Sequence, residues 1–364
     1  MQITNETLAE VIALGGEMSN TTLKRIVALV GDDISNVRRR LSRMIGGGLI
    51  IKHSSDRDNF IDTTYSLSQK GSRFIDREVP KYSSRPGERL KRILKTDLMF
   101  HSVFSGAQVI TVDEALSGSC GYCDIRNIKE SQRKDWFRNN QSIGIYFLPH
   151  QIIVCYSLYP HMAFVEKNEG SVFGFLKRQI EYGSLKNRYT LQDIYYLFYY
   201  RGDEAYLNLL AARGGSGGSM KHFLKSTVKR GHGIFLDQTQ TNTDITLLDL
   251  FSQPDYIGKT KNFFQRVVKK NYIQGFQSDG MLNDNPAILN PFMDITMITT
   301  MFQDIVSYRK TNNKSLKPTM LLFKDNIDIM SEVTVSRYPR SSPVKFIAID
   351  YNDFRRGIGI AGGA

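Results

Sequence analysis

The chain has 364 residues, 41% of them hydrophobic, and 48 Lys and Arg against 36 Asp and Glu give a net charge of +12. This length admits two or three domains with cores of their own. No apolar run reaches bilayer length and the N-terminus lacks a signal-peptide layout, so no membrane partner is expected and a cytoplasmic setting is. The basic balance, with a pI near 9.4, favours an anionic partner, nucleic acid first, and three cysteines argue against a disulfide framework.

In chain order, residues 6–14 and 21–30 read as short helices, the second capped by Asn20 or Thr21 and carrying Leu23, Ile26, Val27 and Val30 on one stripe. A third helix starts at Asp32 or Asp33, whose side chains can take up free backbone N–H groups. Ile34, Val37, Leu41, Met44 and Ile45 share one of its faces, and Asn36, Arg39, Arg40 and Arg43 the other. Gly46, Gly47 and Gly48 stop it. Residues 49–52 and 63–67 read as two strands around the polar turn 54–59, and a further helix opens at Ser68. An Arg-rich face suits phosphates and base edges; the plain alternative is a solvated helix surface.

The stretch RRRLSRMIGGGLI, a charged turn, then YSLSQKG resembles the winged helix-turn-helix superfamily. The hairpin exit is similar to the L-T-x-x-G of multiple-antibiotic-resistance-type regulators, with Ser68 standing where that pattern has Thr. The resemblance covers residues 1–80 and implies a third helix in the major groove and a wing on the backbone or minor groove. It makes Ser35, Asn36, Arg38, Arg39, Arg40 and Arg43 the groove candidates, and Lys52, His53 and Arg57 the wing candidates. Asp56 and Asp58 flank Arg57 and weaken a basic wing.

Residues 80–86 form a Pro- and Ser-containing connector, and 89–104 a long helix with Leu90, Ile93, Leu94, Leu98 and Val103 inward. A basic winged helix, such a helix with KTDLMFHSVF, and a mixed α/β region resemble in layout the replication–relaxation proteins of plasmids and integrative elements. That implies plasmid or mobile-element DNA processing. Further on, 108–112, 142–148 and 152–158 read as strands, and 171–182 and 191–201 as helices. The run Tyr195 to Tyr200 is expected to be a helix burying aromatic faces. Residues 214–219, GGSGGS, form a flexible linker of a kind introduced by design, followed by Met220. Either two chains were joined there or a loop of one chain was replaced. Then 233–236 reads as strand, 244–251 as helix, 262–270 as a basic helix, 292–308 as a long helix, and 319–323 and 344–349 as strands. The expected fold is α+β, or mixed α/β: a winged helix at 1–80, an α/β domain at 87–213, the linker, and a second α/β segment at 220–364 that is a fused partner or a continuation of the same body.

Two stretches beyond the linker mix charge with aromatics, 221–230 and 259–272. On a helix from Lys261, Phe264, Val267 and Val268 would face in, leaving Lys261, Arg266, Lys269 and Lys270 out along phosphates; a solvated face is again the alternative. Cys120-Gly121-Tyr122-Cys123 is a C-x-x-C without a clear helix behind it. A zinc site would need Cys155 with His150 or His161, and an ordinary loop with two thiols is preferred. Gly258-Lys259-Thr260 lacks the glycine of a phosphate loop, where Gln253 stands, and the glycines from Gly357 read as a flexible tail. A magnesium-dependent nuclease needs an Asp and an Asp/Glu-x-Lys. Asp113, Glu114, Asp124, Glu166-Lys167, Asp325, Asp328, Asp350 and Asp353 do not complete that pattern, and the six scattered histidines make no metal pair for a relaxase.

The functional expectation is a duplex-DNA-binding protein of a plasmid, phage or mobile element, acting in replication, DNA processing or its regulation. No cofactor is expected, apart from Mg in the alternative of a nicking, relaxase- or restriction-endonuclease-like enzyme. The other alternative is a scaffold that recruits proteins to a DNA site. A homodimer or other replication and mobilisation proteins are the protein partners considered.

Overall fold

The computed structural model describes residues 3–55, 61–76, 84–126, 128, 140–158, 166–203, 206–207, 210, 215–337 and 343–360. It is a mixed α+β chain with three sheets and two compact units: Met1–Gln108 with Ser157–Met162, and Val109–Tyr156 with Ala163–Ala364.

The first unit runs α1 (Asn5–Gly15), β1 (Met18–Ser19), α2 (Asn20–Val30), α3 (Ile34–Gly46), β2 (Ile50–His53), β3 (Thr64–Leu67), α4 (Gln69–Phe74) and α5 (Pro86–Phe104). The helices and the hairpin lie where the hydrophobic period puts them. The cap of α2 differs: Ser19, not Asn20 or Thr21, accepts from the Thr22 N–H at 2.9 Å. The period-3.6 stripes converge as Leu8, Ile12, Leu23, Ile26, Val37, Leu41 and Met44, closed by Ile50, Tyr65 and Leu67 of the hairpin. Each such side chain contributes about 1.5–3 kcal/mol when fully buried. β1, unanticipated, adds a third antiparallel strand in the order β1-β3-β2.

Helix α5 belongs to this unit, although 87–213 reads as a separate domain in the sequence. Phe100 enters the same core, and a Cβ on Gly15 would collide with Thr96, so α1 and α5 touch through backbone. Glu17, 2% exposed, fastens the contact: it accepts from Arg89 Nε (2.9 Å), Arg92 (2.8 Å) and the Thr64 hydroxyl (2.6 Å). Arg25 binds the fully buried Asp97 at 2.6 Å. Val103, expected inward, is 46% exposed in the last turn of α5, one residue before the helix ends.

The second unit holds α6 (Val112–Leu116), β4 (Gly121–Asp124), β5 (Ser142–Leu148), β6 (Gln151–Ser157), α7 (Glu166–Glu181), β7 (Ile194–Tyr200), α8 (Gly215–Ser226), β8 (Gly233–Asp237), α9 (Thr243–Ser252), α10 (Tyr256–Gln265), β9 (Gly280–Leu282), β10 (Asn285–Leu289), α11 (Ile295–Asn312), β11 (Thr319–Phe323), α12 (Ile327–Arg337), β12 (Lys345–Ile349) and α13 (Tyr351–Gly357). One sheet has the order β4-β5-β6-β7-β8, the other β12-β11-β10-β9.

The aromatic run expected as a helix is strand β7. It is a central strand with nearly every residue buried, so its sequence is continuously apolar and carries no period to separate it from a buried helix. Its parallel partner is β8, with Tyr196 opposite Gly233 and Tyr200 opposite Asp237. Residues beyond Met220 therefore complete a sheet begun before the linker, which fits the continuation reading. The backbone of α8 already starts at Gly215, within the stretch read as a flexible linker. Three other expectations change. The 108–112 strand reduces to one bridge, Val109 with Tyr122, because Thr111 and Glu114 form a reciprocal cap that starts α6. The C-x-x-C loop is partly strand β4. Gly357 ends a helix, packed against the Phe263 ring, rather than opening a free tail.

Candidate nucleic-acid interface

Helix α3 is started by Asp33, which accepts from the Ser35 N–H at 2.8 Å, while Asp32 holds the Ile3 N–H at 2.9 Å. Val37, Leu41 and Met44 are buried under it. Ser35, Asn36, Arg38, Arg39 and Arg43 are exposed on the opposite side and Arg40 is half-buried, with the Asp32 charge near it. The helix ends at Gly46, and the left-handed turn falls on Gly48 (φ +70°), fixed by Ser68 Oγ on its carbonyl at 2.6 Å and by Lys70 on the Gly47 carbonyl at 2.9 Å.

The disposition of charge separates these arginines from others. Arg25, Arg89, Arg92, Arg126, Arg230 and Arg355 are each held by a carboxylate of their own unit. Among the described residues Arg38, Arg39 and Arg43 have no ion-pair partner. Arg39 and Arg43 thus stand on one exposed face with the Asn36 amide, and Arg38 is exposed around the helix from them, where its charge reaches Tyr65 of the hairpin; their donors suit phosphates or base edges.

The hairpin pairs Lys52 with Tyr65 and His53 with Thr64. Lys52 is exposed. His53 is half-buried and bonds to Ser66 at 2.8 Å. Burial holds its imidazole below the usual pKa, and the Arg89 and Arg92 charges add to this against Glu17, so it carries little positive charge at neutral pH. Arg57 lies outside the described residues. The Glu17–Arg89–Arg92 cluster, missed in the sequence, positions this hairpin: Arg89 also donates to the Thr64 hydroxyl at 2.8 Å.

The second basic region is only partly outward. Helix α10 stops at Gln265 rather than running from 262 to 270, and Lys269 pairs with Met281. Arg266, Lys269 and Lys270 are exposed. Lys261 is not: its ammonium lies 4.9 Å from the Tyr195 ring centre and 3.3 Å from the Tyr195 hydroxyl. Burial depresses its pKa against the pull of Asp294, Asp279 and Asp255. Val267, expected inward, is 48% exposed because the helix has already ended. In the basic stretch 221–230, Arg230 is bound to Asp279 at 3.0 Å.

Several of the remaining candidates have structural employment. Cys123 is buried in β4 and its thiol is pushed up to about 12 by burial, whereas Cys120 is exposed and receives Arg188 at 2.9 Å. Glu114 caps α6, Asp124 binds Arg126, Asp350 caps α13, and Asp325 accepts from Asn242 at 2.6 Å. His161 lies outside the described residues. Comparison with protein-family models, curated proteins and solved structures returns no match.

Proposed function

We propose that the chain binds duplex DNA, with α3 entering the major groove and the β2–β3 hairpin lying along the adjacent backbone. The observation that carries this reading is the exposed surface of α3, where, among the described residues, Asn36, Arg38, Arg39 and Arg43 have no internal partner, in a chain of net charge +12. Three helices followed by a hairpin is also the order that the winged-helix resemblance implies. Phosphate contacts from Arg38, Lys52 and Arg43 would position the protein, and Asn36 and Arg39 would read base edges. The layout resemblance to replication–relaxation proteins supplies the context: replication, DNA processing or its regulation on a plasmid, phage or mobile element.

The test is selection of bound fragments followed by a salt-controlled shift assay of the parent and of Arg39→Ala with Arg43→Ala. The double variant is expected to lose about 1–3 kcal/mol of discrimination with the Arg39 base contact, and further affinity, uniform across sequences, with the Arg43 phosphate contact. Its salt slope should also become shallower. Equal affinity of variant and parent for the selected site would overturn the assignment of α3.

A further inference from the structure

In the second unit the parallel strands β7 and β8 end side by side, and carboxylates gather at that end. Asp237, the last residue of β8, is fully buried. Its Oδ1 accepts the Gly202 N–H at 2.9 Å and the Thr239 N–H at 2.8 Å, which draws the chain leaving β7 against the end of β8. Among the described residues no hydrogen-bond donor meets its Oδ2. Asp203, exposed on that same exit, places its carboxyl within hydrogen-bonding reach of Asp237. Asp328 and Glu332, one turn apart on α12 and both exposed, add their charge to that of the pair. Among the described residues none of the four has an ion-pair partner.

A buried carboxylate oxygen without a donor is costly, and a second carboxylate beside it adds repulsion. In a chain with an excess of Lys and Arg, Asp203 and Asp237 face each other with the Asp328 and Glu332 charges near them, and no described cation answers them. We propose that the Asp203–Asp237 pair is the protein-side anchor of a hydrated divalent cation of the Mg²⁺ type, with Asp328 and Glu332 as outer acceptors for its water. Two carboxylates suit this ion, which demands octahedral oxygen geometry and keeps much of its own water, whereas Ca²⁺ takes six to eight oxygen ligands. Among the described residues no three acids stand ready-placed around one point, which is the arrangement a dehydrated cage would need. The proposal does not use the DNA-binding reading, and either can fail alone.

The test uses the full chain, stripped with EDTA. Thermal melts in MgCl₂ are compared with melts in NaCl of matched ionic strength, and bound Mn²⁺ is counted by its electron-spin resonance. The parent is expected to melt higher in MgCl₂ than in NaCl and to bind one Mn²⁺. Asp203→Asn, an exposed site that should fold, is expected to lose both the rise and the bound ion, while melting in EDTA at or above the parent. A parent with no Mg²⁺-specific rise and no bound Mn²⁺, or an Asp203→Asn variant that retains both, would overturn the proposal and leave a carboxyl pair that shares a proton.

Discussion

Single side chains divide into charges that the fold spends on itself and charges it leaves open. Arg25, Arg89, Arg92 and Arg355 are under one-sixth exposed at the side chain and held by carboxylates; removing such an acid strands a buried cation. Arg38, Arg39 and Arg43 can be changed with little cost to stability. Lys261 sits between these cases, since its ammonium is satisfied by the Tyr195 ring and hydroxyl. Lys261→Ala is therefore expected to leave the slope of log affinity against log salt unchanged, whereas Arg38→Ala lowers it by about 0.9 if that side chain meets one phosphate. A reduced slope for Lys261→Ala would return that residue to the surface. Sequence alone ranked Lys261 with Arg266, because a spacing along the chain cannot register an aromatic ring that arrives from residue 195.

Among elements, α5 best shows how a helix is placed by a few buried polar atoms. Burial by itself would raise the Glu17 carboxyl, but the Thr64 and Arg89 hydrogen bonds and the Arg89 and Arg92 charges outweigh it and hold the pKa below 4.5. A depressed carboxylate contributes its full stability above the unfolded value and loses it as pH falls through the folded one. The first unit should thus weaken as the medium is acidified below about pH 4.5, the ordinary value for this group. Glu17→Gln should cost about 3–5 kcal/mol at neutral pH, by leaving two guanidinium groups unanswered, and should flatten that acid limb. Parallel parent and variant curves of stability against pH would refute the linkage. The helices of this unit were legible because one face is wet and one dry. Strand β7 was not, because both its faces are dry and the deciding partner, β8, lies beyond residue 230.

At the level of the whole chain, the first compact unit runs through the proline-bearing connector after residue 80 as far as Gln108, with Ser157–Met162 counted to it. A fragment of residues 1–108 should fold cooperatively and bind DNA. One of residues 1–80 should not, since it lacks Arg89, Arg92, Asp97 and Phe100 and so takes both guanidinium groups from Glu17 and the Asp97 carboxylate from Arg25; helical melts of the two fragments decide this. In the second unit the β7–β8 ladder spans the Gly/Ser stretch. A protease site placed there should, after cutting, give two pieces that stay associated through gel filtration in native buffer, and separation would break the continuation reading. Taken alone, the sequence determined the helices and hairpin of the first unit and the exposed basic face of α3, because period, caps and glycines act over a few residues. Only the tertiary structure decided that α5 joins that unit, that the aromatic run is a strand, that Lys261 turns inward and that Asp203 meets Asp237. Each of these depends on contacts between residues remote in the chain, where burial and charge are set by the partner and not by the local letters.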